Sequence, residues 1–115
     1  MPMKVMIVDD NKGMREMIRA AACTEHDSVM ECSNGAEAVD AYATFRPDYV
    51  LMDVEMGIMD GFIASEKIFD KDKNAHIIFV TDHNTSAFRM KAKKLHAKGF
   101  VWKENLHEIA ALLHR

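Results

Sequence analysis

The chain has 115 residues and 13.1 kDa, the length of one domain, which buries roughly two-thirds of the surface its unfolded form exposes. Apolar residues make up 49% and charged residues 29%, with five Gly and two Pro, so collagen-like, low-complexity and disordered classes are excluded. The formal net charge of -3 argues against direct nucleic-acid binding, no apolar run approaches the roughly 18 residues of a membrane span, and no secretory signal opens the chain.

Cys23 and Cys32 have neither metal-motif spacing nor a disulfide-rich context and read as buried thiols in a reducing compartment, with the cytoplasm as the expected location. Charge is unevenly spread. Residues 84–115 hold seven Lys/Arg against two Asp/Glu, and Arg89, Lys91, Lys93, Lys94, Lys98 and Lys103 follow one another with no acid between them. Such a run is either a solvated helix face or a docking surface for an acidic partner.

Taken in chain order, short apolar or β-branched runs alternate with helical spacing. The runs are Lys4–Val8, Ser28–Cys32, Tyr49–Met52, Ile77–Val80 and Phe100–Trp102, the signature of strands in a sheet covered on both faces. Between them, Met14, Met17, Ile18 and Ala21 predict a first helix, and Ala36, Val39 and Ala43 a second. A less regular segment from Gly61 to about Asp70 predicts the third, and Phe88, Ala92 and Leu95 the fourth. Leu106, Ile109, Ala110 and Leu113 predict a closing amphipathic helix. Five-fold alternation implies right-handed crossovers and a flavodoxin-like, doubly wound α/β fold with five parallel strands in order 2-1-3-4-5 and five helices. In such sheets the functional crevice lies at the carboxyl ends of the strands, beside the switch point between the first and third.

Those ends carry Asp9 and Asp10 after the first strand, Asp53 after the third, Thr81 after the fourth and Lys103 after the fifth. Singly, each has a bland reading as an N-cap, a turn residue or a solvated tip. Together they converge. Two unit charges about 4 Å apart at an effective dielectric near 20 repel by roughly 4 kcal/mol, so three carboxylates in one crevice call for a cation. An all-oxygen site without His or Cys suits Mg²⁺. A carboxylate beside Mg²⁺ is a competent nucleophile toward phosphorus, and a hydroxyl and an ammonium there can hold phosphoryl oxygens.

Through IVDD (7–10), NGAEA (34–38), RPDYVLMD (46–53), MDG (59–61), VT (80–81) and GFVWK (99–103), nearly the whole chain resembles the receiver domain of two-component response regulators. The resemblance implies one receiver domain over residues 1–115, with Asp53 as phosphoacceptor and Asp9, Asp10, Asp53 and the Glu55 backbone carbonyl around the metal. It makes Thr81 the switch hydroxyl, Lys103 the phosphate-pairing lysine and Phe100 the aromatic that swings inward when Thr81 is drawn to the phosphate. Glu55 and His83 fall where the family flanks the path of the hydrolytic water. The implied partners are a sensor histidine kinase or histidine phosphotransfer protein upstream and a protein docking on the basic fourth helix and fifth strand downstream. As no segment follows the last helix, an output domain is not expected within this sequence.

Three positions depart from the family pattern: Gly57 where a Pro is usual, Asp82 where a small residue follows the Thr, and Glu104 where a cis Pro follows the Lys. A cis bond to a non-proline costs about 2.5–4 kcal/mol, so Lys103 is expected to be held differently. A degenerate, unphosphorylated interaction module stays open as an alternative. A phosphatase of the haloacid-dehalogenase kind needs two acids separated by one residue, whereas Asp9 and Asp10 are adjacent and Asn11 follows. A flavin module would need a phosphate loop where Asp9 and Asp10 repel a phosphate.

Overall fold

A computed structural model describes residues 2–113. The apolar runs become β1 (Lys4–Val8), β2 (Ser28–Cys32), β3 (Tyr49–Met52), β4 (Ile77–Thr81) and β5 (Gly99–Trp102), all parallel, in the order β2-β1-β3-β4-β5. The fourth and fifth strands each extend one residue beyond expectation, to Thr81 and back to Gly99. Between the strands lie α1 (Lys12–Ala22), α2 (Gly35–Phe45), α3 (Gly61–Lys71) and α4 (Ser86–Lys94).

The period-two alternation of strands divides the apolar residues between two cores. Met6, Val8, Val50, Met52, Ile77 and Phe79 face one side, with Ala38 and Tyr42 of α2, Phe62, Ala64 and Ile68 of α3 and Ala92 of α4. Val5, Ile7, Tyr49, Leu51, Ile78, Val80 and Val101 face the other, with Ile18 and Ala22 of α1 and with Ile109 and Leu113. The same alternation carries past the strand ends. Asp9, Asp53 and Lys103 continue the register of the second face, while Thr81 continues that of Phe79 on the first.

Helix starts follow from side-chain caps. Asn11 Oδ1 accepts from Met14 N at 2.8 Å, Asn34 Oδ1 from Glu37 N at 2.9 Å, and Asp60 Oδ1 from Ile63 N at 2.9 Å. Some expected faces shift. In α2 the buried line is Gly35, Ala38 and Tyr42, while Ala43 is exposed, because Tyr42 OH donates to Asp72 at 2.8 Å and lets the ring go inside. In α1 Met17 is 56% exposed and Ile18 and Ala22 carry the burial. Cys32 is buried, but Cys23 is only half-buried, as it sits at the C-cap of α1.

The closing helix differs most. Lys103–Glu108 is a 3-10 segment, and only α5 (Ile109–Leu112) is α-helical. Asn105, at φ -123° and ψ 42°, interrupts the helical backbone, so Ile109 and Leu113 are buried while Ala110 is exposed. His26, His76, His96 and His107 are all exposed or half-buried, as expected of surface residues, and His114 lies outside the described residues.

Candidate functional site

At the carboxyl edge of the sheet, β1 delivers Asp9 and Asp10, β3 delivers Asp53 and β5 delivers Lys103. They line a cleft of about 330 Å³ with Asn11, Met14, Glu55, Asp82 and His83. Neighbouring strands are hydrogen-bonded in register, Val8 opposite both Cys32 and Met52, so the residues that follow Val8 and Met52 must lie side by side. One carboxylate oxygen from each of Asp9, Asp10 and Asp53 lies within 4.8 Å of the others.

Asp9 is fully buried and almost entirely committed. Its N–H donates to Cys32 O at 3.1 Å, and its Oδ1 accepts from Asn11 N at 2.9 Å. Oδ2 stands 2.8 Å from Lys103 Nζ, an ion pair outside hydrogen-bond geometry, and is without a directed donor. Asp53 is 4% exposed, its Oδ1 accepting from Val54 N at 2.9 Å and its Oδ2 lying 3.3 Å from Lys103 Nζ. Burial is the main force on the Asp53 carboxyl and pushes it from 3.8 up to about 6; Lys103 opposes the shift and Asp9 adds to it. At Lys103 burial acts to lower the pKa, but the close contact with Asp9 and the negative charges of Asp53 and Asp9 outweigh it and raise it.

Glu104 leaves this arrangement intact. The described residues contain no cis peptide bond, and the Lys103 ammonium nonetheless lies between the two acids. Without a cis bond at Glu104, Lys103 is held by other means: Trp102 is extended and the 3-10 segment starts at Lys103 itself, with the side chain turned inward to the acids.

Thr81 is fully buried and is not among the residues lining the cleft; its Oγ1 accepts from His83 N at 3.1 Å. Phe100 is half-buried against the same core as Phe79, its register partner on β4, and the Arg89 guanidinium lies 4.8 Å from its ring centre. Two features escape sequence reasoning. The carboxylate of Glu55, named with His83 for the water path but not as its partner, lies 2.8 Å from His83 Nε2 and joins the loops after β3 and β4 across the mouth of the cleft. Arg15 on α1 donates from Nη1 to Asp9 O at 2.7 Å, a contact without any spacing signal.

The family model for the response regulator receiver domain matches residues 5–114. This chain belongs to that family. The receiver domain is 38% identical over 103 residues to the chemotaxis protein CheY of Halobacterium salinarum, covering 90% of this chain and 86% of that one. It is 37% identical over 101 residues to CheY of Thermotoga maritima, covering 87% and 84%. Among solved structures, a LuxR-family two-component response regulator from Aurantimonas superposes with TM-score 0.87 at 31% identity, covering 96% of this chain and 81% of that one. CheY from a CheX-CheY-BeF3-Mg complex of Borrelia burgdorferi shares the fold with TM-score 0.85 at 23% identity, covering 99% and 92%. No helix among the described residues of the receiver domain is long and apolar enough to cross a membrane.

The donor set of the receiver domain fits a hard divalent cation. It is all oxygen, it is carboxylate-rich, and it includes a buried oxygen, Asp9 Oδ2, that lacks a directed donor.

Proposed function

We propose that residues 1–115 form one receiver domain that accepts a phosphoryl group on Asp53 from the phosphohistidine of a sensor histidine kinase or histidine phosphotransfer protein, in the cytoplasm and with Mg²⁺. The observation that carries this reading is the state of the Asp53 carboxylate, with Oδ1 held by Val54 N–H and Oδ2 beside the Lys103 ammonium in an open cleft.

Oδ2 is the attacking oxygen. As its bond to phosphorus forms, the nitrogen–phosphorus bond of the donor breaks and the imidazole keeps the electron pair. With its pKa near 6, the Asp53 carboxyl is ionised and nucleophilic at neutral pH. The Lys103 ammonium balances the charge on the phosphoryl oxygens, and Asp9, Asp10, Asp53 and the Glu55 carbonyl would hold the metal. Bound there, Mg²⁺ supplies a Lewis acid that cancels charge on carboxylates and phosphoryl group. The protein thus assists its own phosphorylation and dephosphorylation as a phosphoacceptor and is not a turnover enzyme.

Thr81 is buried behind the cleft, so its hydroxyl must move toward the cleft to donate to a phosphoryl oxygen. That movement lies on the sheet face where Phe100 packs, next to α4, so phosphorylation is read out as a changed surface at basic α4 and β5, where an acidic protein partner docks. Treatment with acetyl phosphate and Mg²⁺ followed by mass spectrometry tests the reading. One base-labile phosphoryl group is expected, on Asp53; the same label on Asp53→Asn sinks the assignment.

A further inference from the structure

Arg15 breaks a local rule. It lies in the first turns of α1, where the helix dipole disfavours cations, and no acidic residue occupies the first turn to offset it. Its side chain is nevertheless only 15% exposed. The guanidinium turns back along the helix, donates from Nη1 to Asp9 O at 2.7 Å and from Nε to Glu31 Oε1 on β2 at 2.8 Å. Arg19 lies 3.7 Å from the other Glu31 oxygen.

We infer that Arg15 is a positioning residue for the divalent-cation site, with Glu31 as its clamp; the inference rests on the metal reading proposed above. The carbonyl that Arg15 holds belongs to the peptide plane joining Asp9 to Asp10. Fixing that plane sets ψ of Asp9 and φ of Asp10, and with them the direction in which the exposed Asp10 side chain leaves the backbone. With Asp9 N–H on Cys32 O and Oδ1 on Asn11 N–H, the Arg15 bond completes the restraint of Asp9 and holds its carboxylate, paired through Oδ2 with Lys103, at the acid cluster. Glu31 has two tasks. It locks the planar fork of Arg15 in one orientation, and its negative charge compensates a cation placed close to a site that must attract another cation.

The roles of geometry and charge separate by substitution. Arg15→Lys keeps the charge but replaces a two-armed fork by a point ammonium, which cannot reach Asp9 O and Glu31 in the same directions. Glu31→Gln keeps shape but leaves the Arg15 charge uncompensated. The metal-free proteins are titrated with MgCl₂ and followed by the fluorescence of Trp102, the single tryptophan, which precedes Lys103; urea unfolding in EDTA reports the fold separately. Each variant is expected to weaken Mg²⁺ binding roughly three- to ten-fold, with the double variant no weaker than about the worse single one, because both act on one clamp. A merely structural Arg15 would lower the urea midpoint and leave the Mg²⁺ dissociation constant within two-fold of the unaltered protein, which overturns the inference. If the unaltered protein itself shows no saturable Mg²⁺ response, the metal reading fails first, and the inference with it.

Discussion

Asp53 is ionised at neutral pH against the opposition of its surroundings. Its carboxyl is pushed from 3.8 to about 6, chiefly by burial, so the folded protein holds the proton more tightly than the unfolded chain. The contribution to stability is therefore full below about pH 4 and is lost as the pH rises through 6. Asp53→Asn removes the group that must be ionised at a cost. In EDTA at pH 7.5 we expect this variant to be more stable than the parent by roughly 1–3 kcal/mol, the difference shrinking as the pH falls from 7 to 4. Urea unfolding across that range measures it, and a difference that grows toward low pH contradicts the account. Bound at the acids as proposed, Mg²⁺ should reverse the balance by adding a second cation beside Lys103. At 100 times its dissociation constant the metal adds about 2.7 kcal/mol to the native state. Asp10→Asn should lose most of the accompanying rise in melting temperature while the metal-free protein stays no less stable, because a repulsion has been removed. A rise as large as the parent's in this variant argues that Asp10 is no ligand.

Elements place these residues through close approach. The start of α3 runs directly under the loop that carries Asp53: Gly61 N donates to Val54 O at 2.7 Å, and a Cβ on Gly61 would fall 1.9 Å from Asp53 O and 2.8 Å from its carbonyl carbon. Backbone is what it meets, so no rotamer change relieves the clash. Gly61→Ala should therefore cost more than the roughly 1 kcal/mol that a helical Gly-to-Ala change normally returns, in the opposite direction, and should slow phosphorylation by acetyl phosphate at least ten-fold. Unfolding midpoints and initial labelling rates, taken together, check it; an Ala variant as stable and as reactive as the parent refutes the close approach. Gly57, by contrast, has nothing within 4 Å of its would-be Cβ, so the Pro expected there is absent without a packing consequence.

At the scale of the molecule, the sheet is most deeply buried where the site is anchored. Residues of β3 and β4 are buried throughout and those of β1 from Val5 onward, whereas β2 is an edge strand with only Cys32 buried. Amide exchange should follow that gradient: amides at 5–8, 50–52 and 77–80 exchanging only through global unfolding, those of β2 faster, and those of the 3-10 segment Lys103–Glu108 fastest among the elements. Equal protection of β2 and β4 would contradict it. Charge follows the same division of labour, with carboxylates at the cleft and the basic run on α4, so the proposed phosphorylation would deepen the negative field at the cleft and leave the cationic face for the proposed partner of opposite sign.

The strand ends were readable because chemistry and periodicity coincide there. An apolar run must stop where a side chain becomes polar, and in a parallel sheet those stops fall at one edge, so Asp9, Asp10, Asp53 and Lys103 are gathered by pattern alone. Amphipathic spacing located the helices for the same local reason, and faltered where one polar contact alters burial, as Tyr42 with Asp72 does in α2. Contacts between segments distant in the chain carry no such signal. The Arg15 bond to the Asp9 carbonyl, the Glu55–His83 bridge and the burial of Thr81 behind the cleft each depend on two loops or elements meeting at a given distance and angle. The reach of Lys103 into the acid pair without the expected Pro is of this kind too, decided by how β5 and the 3-10 segment pack against the sheet. Sequence determined which chemical groups arrive at the carboxyl edge, because side-chain type and strand period are local properties. Tertiary structure decided which of them touch, because contact is set by the packing of whole elements around the two cores.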